Sequence, residues 1–169
     1  NEVFPNPKVG CLIVKDRKVI SKGFHKRFGG RHAEQVAIDS LPQNITKATM
    51  YITLEPCAHK GKTNPCIDLI DPSIFNRVVI SSLDPNPSAS GGIKAILNKK
   101  ISVTKNVCNL KSKKINPRFF TYHEKKRPYI IIKAALTLDG FIAESNGVSK
   151  WITNEKSRQS VHVLRSSCD

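Results

Sequence analysis

Apolar and polar residues alternate in two short runs near the start of the sequence, Val9 to Lys15 and Lys18 to Gly23, which predicts two strands joined across Asp16-Arg17 as a hairpin. After Gly29-Gly30 the period lengthens. Ala33, Val36, Ala37 and Leu41 recur at helical spacing, and Pro42 ends the pattern. A strand over Ala48 to Leu54 comes next, then a loop rich in Gly, Lys, Pro and His from Glu55 to Pro65, and a helix near Cys66 to Ile70. A buried strand over Arg77 to Ser81 runs into Asp84-Pro85-Asn86-Pro87, and a short helix from Ile93 and a strand over Ile101 to Thr104 finish the unit. This order of strands and helices predicts an α/β layered sheet.

From Lys111 to Pro128 charges dominate and apolar periodicity is weak, so the segment reads as a solvated connector with Lys125-Lys126-Arg127-Pro128 as the linker. Beyond it, Tyr129 to Leu138 predicts a long apolar strand, Asp139-Gly140 a turn, and Trp151 to Arg165 a helix with Val161 and Leu164 on one face. The expected division is 1–124 and 125–169. The residues past the linker are too few for a comfortable second core, so the chain reads as cut inside its second domain. No internal repeat or low-complexity tract interrupts either part.

Composition narrows the class. A compact chain of 169 residues buries roughly 70% of its unfolded surface, so a core is accessible without disulfide or metal staples. No stretch approaches the roughly 18 apolar residues of a membrane-spanning helix. Five cysteines, an odd and scattered set, and no basic-then-apolar leader point to a reducing compartment, with the cytoplasm expected. The net charge of +15 and a pI near 9.9 suit a polyanionic partner, a phosphorylated metabolite or solubility alone, and do not choose among them.

The chemistry concentrates in His32-Ala33-Glu34, Pro56-Cys57 and Pro65-Cys66. One imidazole and two thiolates suit tetrahedral zinc, and three protein ligands leave the fourth position for water, which is the pattern of a catalytic centre. Cys57, after Pro56 at an expected helix start, would have its thiolate stabilised by the helix dipole and the metal. Glu34 is two residues from His32 and fits beside the metal if His32 sits in the first turn of the helix. A carboxylate there can carry a proton from a zinc-activated water, whose pKa falls to about 7, to a leaving amine. That is deamination chemistry. Nucleobase deaminases carry H-x-E followed by P-C-x-x-C, and here the second cysteine is displaced so that a longer Ala58 to Pro65 loop brings His59, Lys60 and Lys62 to the pocket mouth. The alternative is a structural zinc, for which His25 or His59 could be the fourth ligand.

These stretches resemble the bifunctional riboflavin-biosynthesis deaminase-reductase family. The likeness rests on Pro5-Asn6-Pro7-Lys8-Val9-Gly10-Cys11, on His32-Ala33-Glu34, on the run from Tyr51 to Thr63 with Cys66, and on Asp84-Pro85-Asn86-Pro87. It continues with Arg127-Pro128-Tyr129, Lys133-Ala134-Ala135, Thr137-Leu138-Asp139-Gly140, Ser149-Lys150-Trp151-Ile152-Thr153 and His162-Val163-Leu164-Arg165. The resemblance implies a cytidine-deaminase-like three-layer α/β/α domain with a mixed central sheet, followed by the start of a dihydrofolate-reductase-like α/β domain that uses NADPH. It assigns zinc to His32, Cys57 and Cys66, and proton transfer to Glu34. Asn6, His25, His59, Lys62, Asp84 and Asn86 take the places of its deaminase-substrate contacts. In the second part Ala135 and Trp151 match NADPH-contacting positions, and Ser149 and Arg165 match contacts to the reductase substrate.

The sequence departs from the family at Arg31, where proline is usual, and at Ser90-Gly91-Gly92, shorter than the usual G-x-G. A helix expected upstream of Pro5 is absent, which would expose one face of the sheet. The implied activity is zinc-dependent deamination of 2,5-diamino-6-ribosylamino-4-pyrimidinone 5'-phosphate, coupled in the longer protein to NADPH-dependent reduction of the ribosyl group. The expected partner is that small phosphorylated pyrimidine, with no nucleic acid and no membrane, and with homo-oligomers forming through the reductase part. Two rivals stay open: a nucleic-acid base deaminase, for which the basic connector offers Phe119, Phe120 and Tyr122 for stacking, and a binding module built on structural zinc.

Overall fold

The computed structural model describes residues 3–61 and 64–168, which fall into two compact units, one ending at Tyr129 and the other beginning at Ile130. In the first, β1 (Gly10–Lys15) and β2 (Lys18–Phe24) form the hairpin. Asp16 and Arg17 both take positive φ, 49° and 61°, as a two-residue reversal matched to strand twist requires. There follow α1 (Ala33–Asp39), β3 (Ala48–Leu54), α2 (Cys66–Leu69), β4 (Phe75–Ser82), α3 (Gly92–Asn98) and β5 (Ser102–Thr104). The strands lie in the order β2-β1-β3-β4-β5, antiparallel from β2 to β3 and parallel from β3 to β5. The sheet is therefore mixed, as the α/β reading expected.

Alternation along the strands sorts the two faces. Cys11 and Ile13 of β1, Met50 and Ile52 of β3 and Val78 and Ile80 of β4 are buried in one cluster with Ala33 and Ala37 of α1 and Ile96 of α3. On the opposite face Leu12 and Tyr51, partners in the β1–β3 register, are exposed. No helix among the described residues is long and apolar enough to cross a membrane.

The segment expected to be a solvated connector is instead helical, as α4 (Asn109–Ile115) and α5 (Pro117–Lys125). Its anchors are mainly polar, which is why hydrophobic periodicity did not reveal them. The Ser112 hydroxyl donates to the Thr53 carbonyl, and the buried Asn116 side chain pairs with the backbone of Lys8. Lys8 N–H donates to Asn116 Oδ1 and Asn116 Nδ2 donates to the Lys8 carbonyl, each at 2.7 Å. Pro117 then opens α5, where its missing N–H costs nothing, and Phe120 is the one apolar side chain α5 buries.

The second unit corrects another expectation. Tyr129 to Leu138 is not a strand; Ile132 is 91% exposed and Leu138 fully so. A strand needs a neighbour for its N–H and C=O groups, and among the described residues none pairs with this segment. The turn at Asp139-Gly140 forms, with Gly140 at φ 89° and Thr137 N–H donating to the Phe141 carbonyl. The final helix, α6 (Glu155–Ser166), begins later than Trp151 because Asn154 caps it, accepting from Ser157 N–H.

Candidate active site and metal centre

Close backbone approach places the first candidate ligand. A Cβ on Gly23 of β2 would lie 2.2 Å from the Ala33 carbonyl oxygen, so only glycine lets α1 begin directly against the hairpin. His32 is the N-cap of α1, extended at φ −73° and ψ 163°, and Glu34 falls in the first turn at 3% exposure. His32 thus stands one place before the first turn in which it was expected, with Glu34 inside that turn. The second ligand differs from expectation: no helix starts at Cys57, which lies in an irregular loop following β3. The helical amide that reaches its sulfur comes from α2, where Cys66 N–H donates to Cys57 Sγ at 3.3 Å. Cys66 is the first residue of α2 after Pro65, and its side chain is buried.

One ligand atom from each of His32, Cys57 and Cys66 converges within 4.8 Å of the others. His32 Nδ1 is 3.1 Å from Cys66 Sγ and 3.7 Å from Cys57 Sγ. An imidazole and two thiolates at this spacing fit zinc. Among the described residues no fourth His, Cys or carboxylate joins them. His25, a candidate fourth ligand, has its ring nitrogens engaged elsewhere, with Asn6 Nδ2 at 3.2 Å from Nε2 and the Arg31 carbonyl at 3.0 Å from Nδ1. Its ring meets that of His32 edge-on at 5.3 Å. The donor set is thus that of an open centre rather than a closed structural one.

The two thiols are placed unequally. The Cys66 side chain, assisted by His32 and the Cys66 N–H, holds Cys57 down at about 4 against the opposing effect of burial. Cys66 is pushed far up by its hydrogen bond to Cys57 and by burial. His32 is raised, chiefly by hydrogen bonding to Cys57. Burial pushes the Glu34 carboxyl up to about 7, with His32 pulling the other way. Behind it Cys11 is raised by burial and then by Glu34, which makes it an inert core thiol.

A cavity of about 370 Å³ opens onto this cluster, a size suited to a small molecule. Its lining brings together His32, Glu34 and Cys57 with five of the six expected substrate-contacting residues, namely Asn6, His25, His59, Asp84 and Asn86. Lys62 lies outside the described residues. Asp84 is pushed up to about 6 by burial, against the hydrogen bond it accepts from Asn86 N–H. Sequence reasoning missed Phe28, and Phe119 and His123 of α5, whose rings lie 4.7 Å apart in the same lining. The signal was their spacing of four on a segment not expected to be helical. Burial lowers the His123 pKa.

In the second unit, Ser149 and Trp151 share the lining of a shallow depression, while Ala135 and Arg165 are not part of it. Trp151 is 70% exposed and carries Arg158 over its ring at 4.1 Å. These four residues do not by themselves enclose a dinucleotide.

Residues 2–82 match the family model of the cytidine and deoxycytidylate deaminase zinc-binding region, and residues 128–169 match that of the RibD C-terminal domain. The riboflavin biosynthesis protein RibD of Aquifex aeolicus is 46% identical over 162 residues, covering 95% of this chain and 46% of that protein. RibD of Escherichia coli is 39% identical, over 95% of this chain and 44% of its own length. The crystal structure of a diaminohydroxyphosphoribosylaminopyrimidine deaminase/5-amino-6-(5-phosphoribosylamino)uracil reductase from Thermotoga maritima is 47% identical, with a TM-score of 0.88 over 97% of this chain and 48% of that one. The chain spans just under half the length of the curated relatives it matches. With both models matched in that order, and nearly the whole chain aligned to proteins of one kind, the chain belongs to the RibD family of riboflavin-biosynthesis proteins.

Proposed function

We propose that the first unit is the deaminase of a RibD-type enzyme, acting on 2,5-diamino-6-ribosylamino-4-pyrimidinone 5'-phosphate. The observation that carries this reading is the convergence of three soft or borderline ligand atoms within 4.8 Å on a cavity that Glu34 also lines. His32, Cys57 and Cys66 would hold zinc, which when bound supplies the Lewis acidity that makes water a nucleophile near neutral pH.

The chain's own residues do the rest. Glu34, buried in the first turn of α1 beside the three candidate ligands, accepts the proton of the attacking water and delivers it to the ring nitrogen. Water oxygen bonds to the amine-bearing ring carbon, Glu34 then takes the remaining proton from the new hydroxyl and passes it to the exocyclic amine, and as the C–N bond breaks ammonia leaves and the hydroxyl oxygen becomes the carbonyl. Asn6, tied to His25, and Asp84, tied to Asn86, offer polar groups from two sides of the cavity to orient the ring. His59 is in the same lining and is the residue available to a ribosyl phosphate. The RibD C-terminal segment supports NADPH-dependent reduction of the ribosyl group in the full-length protein. The cysteine pattern supports a cytoplasmic location.

Ammonia release by the zinc-loaded full-length protein tests this reading, with the pyrimidinone ribosyl phosphate, cytidine and a transfer-RNA anticodon stem offered in parallel. Turnover of the pyrimidinone alone is expected. Turnover of the RNA would assign the chain to the nucleic-acid deaminases instead, and silence on all three with zinc bound would leave a structural metal.

A further inference from the structure

Glu55 is a carboxylate at 7% exposure, between the end of β3 and the ligand Cys57, with no ion-pair partner among the described residues. Its partners are three backbone amides. Oε2 accepts from Asp84 N–H at 3.3 Å, and Oε1 accepts from Gly91 N–H at 3.2 Å and Ile93 N–H at 3.0 Å. These donors bracket the loop that runs from the end of β4 to the start of α3. Inside the bracket the loop is held by its own bonds, from Asn86 N–H to Asp84 Oδ1 and from Ala89 N–H to the Asn86 carbonyl. It is also stitched to the metal loop, where Ala58 N–H donates to the Ala89 carbonyl. At its far end a Cβ on Gly92 would lie 2.0 Å from the Pro56 carbonyl oxygen, so α3 starts flush against the residue that follows Glu55. Burying a carboxylate is costly unless its lone pairs are satisfied, and here all the recorded bonds go to the two ends of one loop.

We propose that Glu55 is a positioning residue: its carboxylate clamps both ends of the Asp84–Gly91 loop and thereby fixes where Asp84 and Asn86 meet the substrate. This rests on the reading of the cavity as the deaminase site. The clamp also ties the substrate-facing loop to Cys57, two residues along the chain, so the ring and the metal are held in one frame.

Glu55→Gln in the zinc-loaded full-length protein tests it. Glutamine keeps the shape, but with its oxygen toward α3 its amide faces Asp84 N–H, donor against donor. The expected result is a KM for the pyrimidinone raised about tenfold with kcat within about threefold and zinc content unchanged. The Asp84 amide should exchange hydrogen about tenfold faster while Ile93 stays protected. Glu55→Asp, charged but one methylene shorter, should move KM the same way and serves if the glutamine variant does not fold. Unchanged KM with unchanged Asp84 exchange would overturn the proposal, as would a loss of kcat at constant KM. A wild-type protein silent on the pyrimidinone would overturn the substrate reading, and the exchange result would then decide the clamp by itself.

Discussion

The unit ending at Tyr129 buries Ile13, Met50, Ile80 and Ile96 completely, whereas the unit beginning at Ile130 leaves Ile132 and Leu138 in solvent and buries no described residue. Each part contains a stretch that matches a family model, residues 2–82 in the first and 128–169 in the second. The difference teaches that a motif and a site are separate achievements. In the first unit a sheet and its covering helices force His32, Glu34 and Cys57 into one cavity, while in the second Ser149 and Trp151 have company but Ala135 and Arg165 do not join them.

The strongest test of that contrast is chemical. Glu34→Gln should lower ammonia release by about 10²–10⁴-fold while leaving bound zinc and the reductase activity of the full-length protein in place. Metal analysis and the two assays on one preparation decide it; loss of zinc would make Glu34 a structural residue. Stability gives the next largest difference. In urea unfolding of this 169-residue chain, Ile80→Ala should cost about 2–5 kcal/mol, and Ile132→Ala should fall within about 0.5 kcal/mol of the unsubstituted chain. A comparable cost at Ile132 would show that the second unit has a core after all.

Smaller effects come from the polar joints. Asn116→Ala removes both bonds to Lys8 and should cost about 1–3 kcal/mol, with a rise in KM as the Asn6 loop and α5 lose their tie. Asp84 gives the subtlest test. Its carboxyl is raised from 3.8 to about 6, so the stabilisation it contributes is fully present below the lower value and fades as pH rises through the upper one. Ionised Asp84 is therefore a burden on the fold. Asp84→Asn should melt above wild type at pH about 8, with the gap narrowing at about 5, and should weaken substrate binding throughout. Melting curves at both values and a KM measurement check the pair of effects.

The legible parts of the sequence were those whose cause is local. Strand alternation at β3, the helical period at Ala33 and Ala37, and Asp16-Arg17 as a reversal each follow from neighbours along the chain. His32, Glu34, Cys57 and Cys66 were visible because metal chemistry restricts residue type and spacing together. What stayed hidden depends on contacts between distant residues. Helices α4 and α5 hang on Ser112 and Asn116, polar side chains that serve partners far away in sequence, and so Phe119 and His123 were not expected in the cavity. Glu55 appeared only as a letter in a motif, since nothing local shows that its bonds go to Asp84, Gly91 and Ile93. The expected strand at Tyr129 to Leu138 failed for the converse reason, as β propensity cannot supply a neighbour.

The Asn116 clip joins residues 108 positions apart. A ribosome makes the Asn6 loop early and the helix that secures it late, and at usual rates of synthesis roughly 5–20 seconds separate them. Until the nascent chain has released α5, the cavity lacks Phe119 and His123 and the Asn6 loop has no fastening, although His32, Cys57 and Cys66 have all been synthesised. The residues of the candidate metal centre are thus made well before the clip that completes the cavity, and a translational pause placed between Cys66 and Asn116 would lengthen that interval.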